Sequence, residues 1–303
     1  MKILVTGGAG FIGSHVVDAY IEQGHTVVVV DSLLTGQKKN INPHAILYTC
    51  DITSPDLFAI FEKEKPDIVN HHAAQMNVHY SVEHPINDAH VNILGLLNVL
   101  QCCVKTKVKK IIFISSGGAM YGDTKIIPTP ESIYPEPLSP YGLAKFVGEE
   151  YVKLFHRLYG LQYSILRYAN VYGPRQNPKG ESGVVSIFID KLFHNQQLII
   201  YGDGKQTRDY IFVADVVQAN VLCLTAGDSY AFNIGTGKEM SVIQLLEVLL
   251  IIINKKSLPL FEPSRSGEVA RGALDCSLAK KIIHWQPQYS LREGIEKTVR
   301  ELQ

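Results

Sequence analysis

The chain has 303 residues, a length that fits one large domain or two coupled domains. Hydrophobic residues make up 46% of the chain and charged residues 19%, a balance that excludes disordered, collagen-like and coiled-coil proteins. Lysine plus arginine and aspartate plus glutamate both number 29, so the formal net charge is zero. Because a nucleic-acid-binding protein usually carries a clear basic excess, we expect no nucleic-acid partner.

Neither the cysteines nor the apolar segments indicate export or a membrane. The five cysteines form no C-x-x-C pair and show no disulfide-framework spacing, which is typical of reduced thiols in a cytosolic protein. Glycines soon break the apolar run at the N-terminus, so this run is unlike a signal peptide. The longest apolar stretch, 248–253, is far shorter than the roughly 20 residues of a membrane span. We therefore expect a soluble, cytoplasmic protein with no membrane partner, and no ligand spacing predicts a metal site.

Apolar runs alternate with helical patterns through the first third of the chain. The strands are expected at 3–5, 27–30, 46–48, 67–71 and 110–114, and the helices at 11–23, 55–63 and 85–104. The strands are apolar throughout rather than at every second residue, which is typical of parallel strands covered on both faces. The sequence therefore predicts an α/β fold with a doubly wound parallel sheet.

The pattern changes after residue 115. Residues 127–140 contain five prolines and are expected to form a loop, followed by a helix at 141–159 and a strand at 163–167. Shorter, mixed elements follow, with helices expected at 183–194, 213–224, 241–253, 277–284 and 291–302. We expect a larger domain over 1–174 and a smaller mixed α/β lobe over 175–303, with the chain crossing between them.

The sequence VTGGAGFIGSH joins the first strand to the first helix. It fits G-x-G-x-x-G from Gly8 and G-x-x-G-x-x-G from Gly7, and both patterns include Gly10 and Gly13. Glycines allow the tight turn, and the helix N-terminus then offers N–H groups to a diphosphate. Together with the flanking strand and helix, the motif predicts a Rossmann-type site for a dinucleotide.

Asp31 ends the second strand, 18 residues after Gly13. In a dinucleotide site an acid at this place binds the adenosine ribose hydroxyls and repels a 2′-phosphate. This favours NAD over NADP as the cofactor, although Lys38 and Lys39 nearby argue weakly for the phosphorylated form.

The segment SPYGLAK opens the helix at 141–159 and places Tyr141 and Lys145 four residues apart, on one face. A free phenol has a pKa of about 10, and a neighbouring ammonium group favours the phenolate. A tyrosine four residues before a lysine is usually a surface pair. Downstream of a dinucleotide motif and a strand that ends in Ser115 and Ser116, the pair is a candidate base and its activating cation.

These motifs resemble those of the extended short-chain dehydrogenases/reductases, in the branch that modifies nucleotide sugars. The resemblance is strongest to the UDP-glucose (UDP-galactose) 4-epimerase family, and it covers nearly the whole chain. The segments that carry it are TGGAGFIGSH (6–15), CDI (50–52), HHAAQ (71–75), ISSGGAMYG (114–122), SPYGLAK (139–145), RYANVYGPRQ (167–176), YGDGKQTRDYIFV (201–213), NIGTG (233–237) and SRSGEVARGALD (264–275).

The resemblance assigns roles to residues that match the family motifs. Tyr141, Lys145 and Ser116 are the implied catalytic residues. The implied cofactor-binding residues are Gly7, Gly10, Phe11, Ile12, Gly13, Asp31, Asp51, Ile52, Ala73, Ala74, Gln75, Asn92, Ser115, Tyr141 and Lys145. The implied substrate-binding residues are Asn170, Tyr201, Arg208, Arg265 and Gly272. Two arginines suit a diphosphate because each guanidinium offers a fork of donors.

The chain departs from the family pattern at two positions. The family's catalytic serine or threonine matches Gly117, so either Ser116 replaces that hydroxyl or the site operates with a water. Glycine at position 272 stands where hexose-restricted members carry a tyrosine, which implies a wider sugar pocket. A competing interpretation is that Gly272 serves only a backbone turn.

The resemblance implies an NAD-dependent 4-epimerase of UDP-glucose and UDP-galactose, with UDP-GlcNAc and UDP-GalNAc as further substrates. A UDP-glucuronate epimerase or decarboxylase and a non-catalytic NAD-binding regulatory protein stay open. A 4,6-dehydratase is disfavoured because its Asp-Glu pair is replaced by glycines. The family forms homodimers through the helices at 85–104 and 141–159. The residues expected at that interface, unless they belong to the core, are Leu94, Leu97, Val147 and Tyr151.

Overall fold

The computed structural model describes residues 1–178, 183–264 and 269–301. The strands are β1 (Lys2–Thr6), β2 (Thr26–Asp31), β3 (Ile46–Thr49), β4 (Ile68–His71), β5 (Lys110–Ser116), β6 (Gln162–Tyr168), β7 (Asn170–Tyr172), β8 (Ile199–Tyr201), β9 (Thr207–Arg208), β10 (Tyr210–Phe212), β11 (Tyr230–Ile234), β12 (Met240–Ser241) and β13 (Leu260–Glu262). The helices are α1 (Phe11–Glu22), α2 (Leu57–Glu64), α3 (Val78–Glu83), α4 (Pro85–Ala89), α5 (Gly95–Thr106), α6 (Gly117–Met120), α7 (Pro140–Tyr159), α8 (Val184–Phe193), α9 (Val213–Leu222), α10 (Val242–Ile253), α11 (Ser277–Ile283) and α12 (Leu291–Arg300). A 3₁₀ turn covers Lys38–Asn40, and a π-helical turn at His90–Leu94 joins α4 to α5.

Seven strands form one sheet in the order β11-β6-β5-β4-β1-β2-β3, and every neighbouring pair is parallel. The order reverses between β1 and β4, where the chain leaves one half of the sheet for the other. In open α/β sheets, ligands bind at the carboxyl ends of the strands beside such a reversal. The predicted doubly wound parallel sheet is confirmed.

Helices cover both faces of the sheet, because its strands are apolar on both sides. On one face α1, α9 and α11 pack over residues such as Val5 and Val29. On the other face α2, α5 and α7 pack over residues such as Val69 and Phe113. The carboxyl ends of the strands stay uncovered at the edge between these two layers.

The C-terminal part of the chain contributes to both units. A separate core forms among α8, α10, α12 and the short strands β8 and β10. However, β11 returns to the large sheet beside β6, and β7 leaves it to pair with β10. The division at residue 174 is therefore a division of the sequence only. Residues from both sides of it contribute to the core beside the large sheet and to the core of the C-terminal lobe.

The helix expected at 85–104 is divided in the structure into α4, the π-helical turn and α5, and α3 precedes it as a further helix. The apolar pattern continues through all three pieces, so periodicity did not reveal the change of hydrogen bonding. None of the helices in the described ranges is both long and apolar enough to cross a membrane.

The ends of α7 follow directly from its sequence. The hydroxyl of Ser139 accepts the N–H of Gly142, and Pro140 occupies the first turn. The helix ends at Gly160, which has a φ of +72°. These signals fix the start of the helix and so place Tyr141 in its first turn and Lys145 in its second.

Candidate active site

Three glycines shape the turn between β1 and α1. Gly7 has a φ of +70°, and a Cβ there would lie 2.7 Å from the backbone nitrogen of Ala73. A Cβ at Gly13 would overlap the carbonyl oxygen of Gly7, which accepts the N–H of Gly10 at 3.1 Å. Over the described ranges, no side chain caps α1. The N–H groups of its first turn therefore remain available to a diphosphate, and the turn fits a dinucleotide.

Phe11 and Ile12 form the first turn of α1, as the sequence predicts for two residues whose amides contact a diphosphate. Their side chains pack against the core of the C-terminal lobe. This packing holds the helix N-terminus at the boundary between the two units, with its backbone facing the carboxyl ends of the strands.

The Asp31 carboxylate lies at the end of β2 and is 7% exposed. One of its oxygens accepts the N–H of Ala9 at 2.9 Å, and the other accepts the N–H of Leu33 at 2.8 Å. Each carboxylate oxygen can accept more than one hydrogen bond, so the group still has acceptor capacity for ribose hydroxyls. Asp31 therefore both shapes the glycine turn and fits the predicted ribose contact.

Asp51 and Ile52 lie in the loop after β3, at the same edge of the sheet. The Asp51 carboxylate accepts both the N–H and the hydroxyl of Thr53, at 2.8 and 2.7 Å. Ile52 is 5% exposed, and its carbonyl accepts the amide of Asn98 at 2.7 Å. These hydrogen bonds fix the loop that carries Asp51 and Ile52, two of the cofactor-binding residues that the resemblance implies.

Ala73, Ala74 and Gln75 follow β4 and lie beside the glycine turn. The N–H of Ala73 donates to the hydroxyl of Thr6 at 3.2 Å. Asn92 is buried and forms two hydrogen bonds with the backbone of Gln75, accepting its N–H at 2.9 Å and donating to its carbonyl at 2.8 Å. Asn92 therefore braces the loop after β4, as expected for a residue that supports the nicotinamide side.

The predicted catalytic side chains meet where β5 ends beside the start of α7. The side chain of Ser116 lies near that of Tyr141 and lowers the pKa of the phenol. Lys145 is 5% exposed, and its Nζ atom lies 5.9 Å from the centre of the Tyr141 ring. The same Nζ donates to the carbonyl of Ile114 at 2.9 Å. The structure thus brings all three residues together at the carboxyl edge of the sheet.

Burial dominates the electrostatics of this group. It raises the pKa of Tyr141 to about 12, and the Ser116 side chain opposes the rise. Burial also lowers the pKa of Lys145 to about 8. The sequence suggested that the ammonium of Lys145 favours the phenolate. In the protein alone, desolvation of the phenolate outweighs that attraction, so ionisation near neutral pH needs further positive charge.

Ser115 is 2% exposed, and its hydroxyl donates to Glu149 at 2.6 Å. Glu149 is also paired with Arg167 through two hydrogen bonds of 2.9 and 2.7 Å. The Ser115 hydroxyl therefore donates its hydrogen bond to a buried carboxylate of the protein. We expect the predicted cofactor contact to be made by the backbone of Ser115.

A cavity lies on the side of the C-terminal lobe that faces the carboxyl ends of the strands. Its walls include the predicted substrate residues Asn170, Arg208 and Gly272, together with the glycines that follow Ser116. The N–H of Asn170 donates to the carbonyl of Asp209 at 2.9 Å, which joins β7 to the residue that follows Arg208 at the end of β9. These residues form one wall of the candidate site for the sugar and its diphosphate.

Two further substrate predictions lie at the edge of this region. Tyr201 ends β8, where its backbone pairs with Glu262 of β13. Arg265 lies outside the described residues, so its predicted contact with the diphosphate stays a prediction.

Gly272 lies in the wall of the cavity. In the described parts of the chain, no heavy atom lies within 4 Å of a Cβ added at this position. The position also carries no φ in the left-handed region. A larger residue is therefore compatible with the backbone here and would extend into open space.

Asp209 is a site residue that the sequence analysis missed. It is 2% exposed, and its carboxylate accepts the N–H groups of Thr236, Gly237 and Leu274 as well as the hydroxyl of Thr236. It therefore ties the loop after Arg208 to two other walls of the cavity. The signal in the sequence was its position directly after Arg208 in the RDY segment.

Gly117 lies directly against Leu274. A Cβ at Gly117 would lie 2.6 and 2.9 Å from the two Cδ atoms of this leucine. Leu274 therefore fills the space that a side chain at position 117 would need. The replacement of the missing hydroxyl by Ser116, one residue earlier, stays a prediction.

The model of the NAD dependent epimerase/dehydratase family matches residues 3–235. The chain belongs to this family. It is 50% identical over 297 residues to a putative UDP-glucose 4-epimerase of Methanocaldococcus jannaschii, covering 98% of this chain and 97% of that protein. Within the family, therefore, it belongs with the UDP-glucose 4-epimerases.

Solved structures of two epimerases are similar over the full length. The UDP-glucose 4-epimerase of Thermotoga maritima with UDP-glucose is 48% identical, has a TM-score of 0.98, and matches over 100% of this chain and 98% of its own. The UDP-glucose 4-epimerase of Thermus thermophilus in complex with NAD is 37% identical, has a TM-score of 0.94, and matches over 99% and 98%.

Proposed function

We propose that the protein is an NAD-dependent 4-epimerase that interconverts UDP-glucose and UDP-galactose. One observation carries the proposal. Ser116, Tyr141 and Lys145 meet between a glycine turn suited to a dinucleotide and a cavity lined by Asn170 and Arg208. The names of the similar proteins support the same activity.

In the proposed reaction Tyr141, as the phenolate, accepts the proton of the sugar 4-hydroxyl while the C4 hydrogen leaves as hydride. Ser116, whose side chain lies near the phenol, assists the transfer of this proton. NAD, when bound, supplies the hydride acceptor and a positively charged ring. The 4-keto sugar then rotates and presents the opposite face of C4. The hydride returns to this face, and Tyr141 gives its proton back. The reaction has no net oxidation, so the cofactor can stay bound.

The pKa shifts support this division of roles. Because burial holds the pKa of Tyr141 near 12, the hydroxyl stays protonated until positive charge arrives next to it. Lys145 contributes part of that charge, since its ammonium lies close to the Tyr141 ring. The positive nicotinamide ring contributes the rest. The oxidised cofactor is therefore the form that activates the base, which couples deprotonation to hydride acceptance.

At the other end of the substrate, Arg208 and Arg265 are proposed to bind the diphosphate, with Asn170 near the sugar. Asp209 anchors the chain directly after Arg208. The segment ending at Tyr201 is proposed to lie along the uridine. This arrangement holds the nucleotide in place while the sugar rotates.

The space next to Gly272 favours a second substrate class, the N-acetylated UDP-sugars. An acetamido group adds four heavy atoms at C2 and must fit in two orientations of the ring. We expect the wild type to convert UDP-GlcNAc, and Gly272→Tyr to lose that activity much more than activity on UDP-glucose. The measurement is kcat/KM for both substrates in both proteins. Equal rejection of UDP-GlcNAc by wild type and variant would show that the pocket is closed for another reason.

We also propose that the protein is a cytoplasmic homodimer. Apolar residues are exposed along α4, the π-helical turn and α7, namely Ile86, Leu94 and Leu143 at 85%, 54% and 50%. Of the other residues expected at this interface, Leu97 and Val147 are partly buried, and Tyr151 packs against the core beneath. Analytical ultracentrifugation of the wild type and of Leu94→Glu tests this interface. We expect a dimer for the wild type and a monomer for the variant.

The proposed activity is tested by incubating the purified protein with UDP-sugars and following configuration at C4 by NMR. We expect UDP-glucose and UDP-galactose to reach one equilibrium mixture from either side. Tyr141→Phe should abolish the reaction while the protein still binds NAD. A regulatory protein without activity would show no conversion in either form, and a decarboxylase would release CO₂ from UDP-glucuronate.

A further inference from the structure

Asp88 is a buried carboxylate next to the catalytic group that the mechanism above does not use. It lies on α4 and is 1% exposed. Its Oδ1 atom accepts the side-chain amides of Gln75 at 2.8 Å and Asn92 at 2.9 Å. Burying a carboxylate is costly unless its hydrogen bonds and charge are used, so its place beside the active site needs an explanation.

The first consequence of Asp88 concerns the loop after β4. Asn92, which Asp88 holds, also bonds both backbone groups of Gln75. The side chain of Gln75, which Asp88 holds as well, donates to the carbonyl of Asn77 at 3.1 Å. Asp88 is therefore the common acceptor that fixes the two amides, and through them the backbone at 75–77.

The second consequence concerns charge. Asp88 is the anion that opposes the fall in the pKa of Lys145, and it also raises the pKa of Tyr141. The histidines that follow this edge of the sheet, His71 and His72, have pKa values lowered to about 3 by burial and by Lys145, so they carry no charge at neutral pH. The charge of Lys145 is thus balanced by Asp88 from α4.

We propose that Asp88 is a positioning residue for the reaction, which holds the loop at 75–77 through Gln75 and Asn92 and places a buried carboxylate on α4, the helix that packs beside the start of α7. The proposal deepens the proposed function and rests on it for the roles of Tyr141 and Lys145. Asp88 touches neither reacting partner, and it acts through the residues that do.

Two ionisable side chains of α7, Lys145 and Tyr141, interact electrostatically with this carboxylate. From α3 and its end come Tyr80, which accepts the amide of Asn87 at 2.8 Å, and His84, whose carbonyl accepts the N–H of Asp88. Burial raises the pKa of Asp88, and its two amide donors favour the ionised form.

Asp88→Asn separates charge from hydrogen bonding, because the Oδ1 atom of asparagine can still accept both amides. Without the negative charge, both the ammonium of Lys145 and the protonated phenol of Tyr141 become less favoured. We expect the pKa values of both groups to fall, each by about one unit, the scale for removing one charge near a buried site. Both limbs of the pH profile of kcat should then move to lower pH, and the ratio of kcat at pH 6 to that at pH 8.5 should rise about tenfold.

The direct readout does not need turnover. In holoenzyme labelled with [ε-¹³C]lysine, the Lys145 resonance is assigned by its absence in Lys145→Arg, and its titration midpoint is measured. We expect the midpoint to be about one unit lower in Asp88→Asn than in the wild type. Amide exchange at 75–77 should be unchanged in Asp88→Asn and faster in Asp88→Ala, which also removes the acceptor.

Asp215→Asn is the matched control. Asp215 is also 1% exposed and accepts two backbone N–H groups, from Gln288 at 2.8 Å and Tyr289 at 3.3 Å, but it lies on α9, on the opposite face of the sheet from α7. We expect this variant to lose stability without moving the Lys145 midpoint.

An unchanged Lys145 midpoint in Asp88→Asn would overturn the proposal. If Asp88→Asn does not fold, Asp88→Ser is the second neutral variant, and failure of both would assign Asp88 to folding instead of the reaction. If the midpoint moves but the wild type converts no UDP-sugar, the proposed function fails while the electrostatic role of Asp88 stands.

Discussion

Gly117→Ser restores the hydroxyl of the family pattern, yet the structure predicts that it damages the protein. The new Cβ would lie 2.6 Å from one Cδ atom of Leu274, closer than real side chains approach. Leu274 is 4% exposed, and its backbone is held by Asp209 and by two hydrogen bonds that join Thr129 to its chain neighbours. The backbone of Leu274 is therefore fixed, so its side chain has to adopt another rotamer to make room.

An overlap that forces a buried side chain into another rotamer costs about 1–3 kcal/mol of the free energy of unfolding. We expect that loss for Gly117→Ser in urea unfolding, together with a lower kcat, because Ser116 shifts away from Tyr141. Gly118→Ser is the matched control. A Cβ at Gly118 meets only the Asn170 side chain, at 3.3 Å, so its loss of stability should be smaller.

A double-mutant cycle identifies the contact. Leu274→Ala alone should cost about 2–5 kcal/mol as a buried leucine truncation. The double variant with Gly117→Ser should be more stable than the sum of the two losses by about 1–2 kcal/mol, because the serine then occupies the space left free. Full additivity of the two losses, or a Gly117→Ser variant as stable as the wild type, would refute the argument that Leu274 excludes a side chain at 117.

Three more predictions concern the catalytic group and the cofactor. Burial lowers the pKa of Lys145 to about 8, so kcat of the wild type should fall as the pH rises through that value. Lys145→Ala should lose most activity and move the optimum to higher pH, and an unchanged profile would remove Lys145 from the mechanism. Ser116→Ala should lower kcat by about 10- to 1000-fold, measured by NMR under saturating substrate, and a silent variant would assign the assisting role to water. The purified protein should carry NAD or NADH, detected by chromatography after denaturation, and the lack of both nicotinamide nucleotide and saturable NAD binding would contradict the assignment of the glycine turn.

The sheet could be predicted from the sequence because its strands are short runs of apolar residues separated by helical periodicity. The start of α7 could be predicted as well, since Ser139 and Pro140 are local signals. The π-helical turn at His90–Leu94 could not, because it leaves the apolar pattern intact. The return of β11 to the large sheet also depends on contacts distant in sequence.

Motif matching predicted that Ser116, Tyr141 and Lys145 lie together in the site. It did not predict the pKa shifts of Tyr141 and Lys145, which decide the charges of the group. These shifts depend on burial and on Asp88, which lies more than fifty residues before Tyr141 in the sequence. The contact between Gly117 and Leu274 could not be predicted either, because the two residues are distant in the sequence. A glycine reveals only that a side chain is missing, and the residue that fills its space comes from elsewhere in the chain.

In the proposed reaction, hydride leaves C4 and returns to the same carbon. The decisive experiment uses UDP-glucose carrying deuterium at C4, incubated with the purified protein in ordinary water. We expect UDP-galactose that retains the deuterium at C4, since the hydride stays within the site. Loss of the deuterium to solvent would contradict hydride transfer and indicate proton exchange at C4 instead.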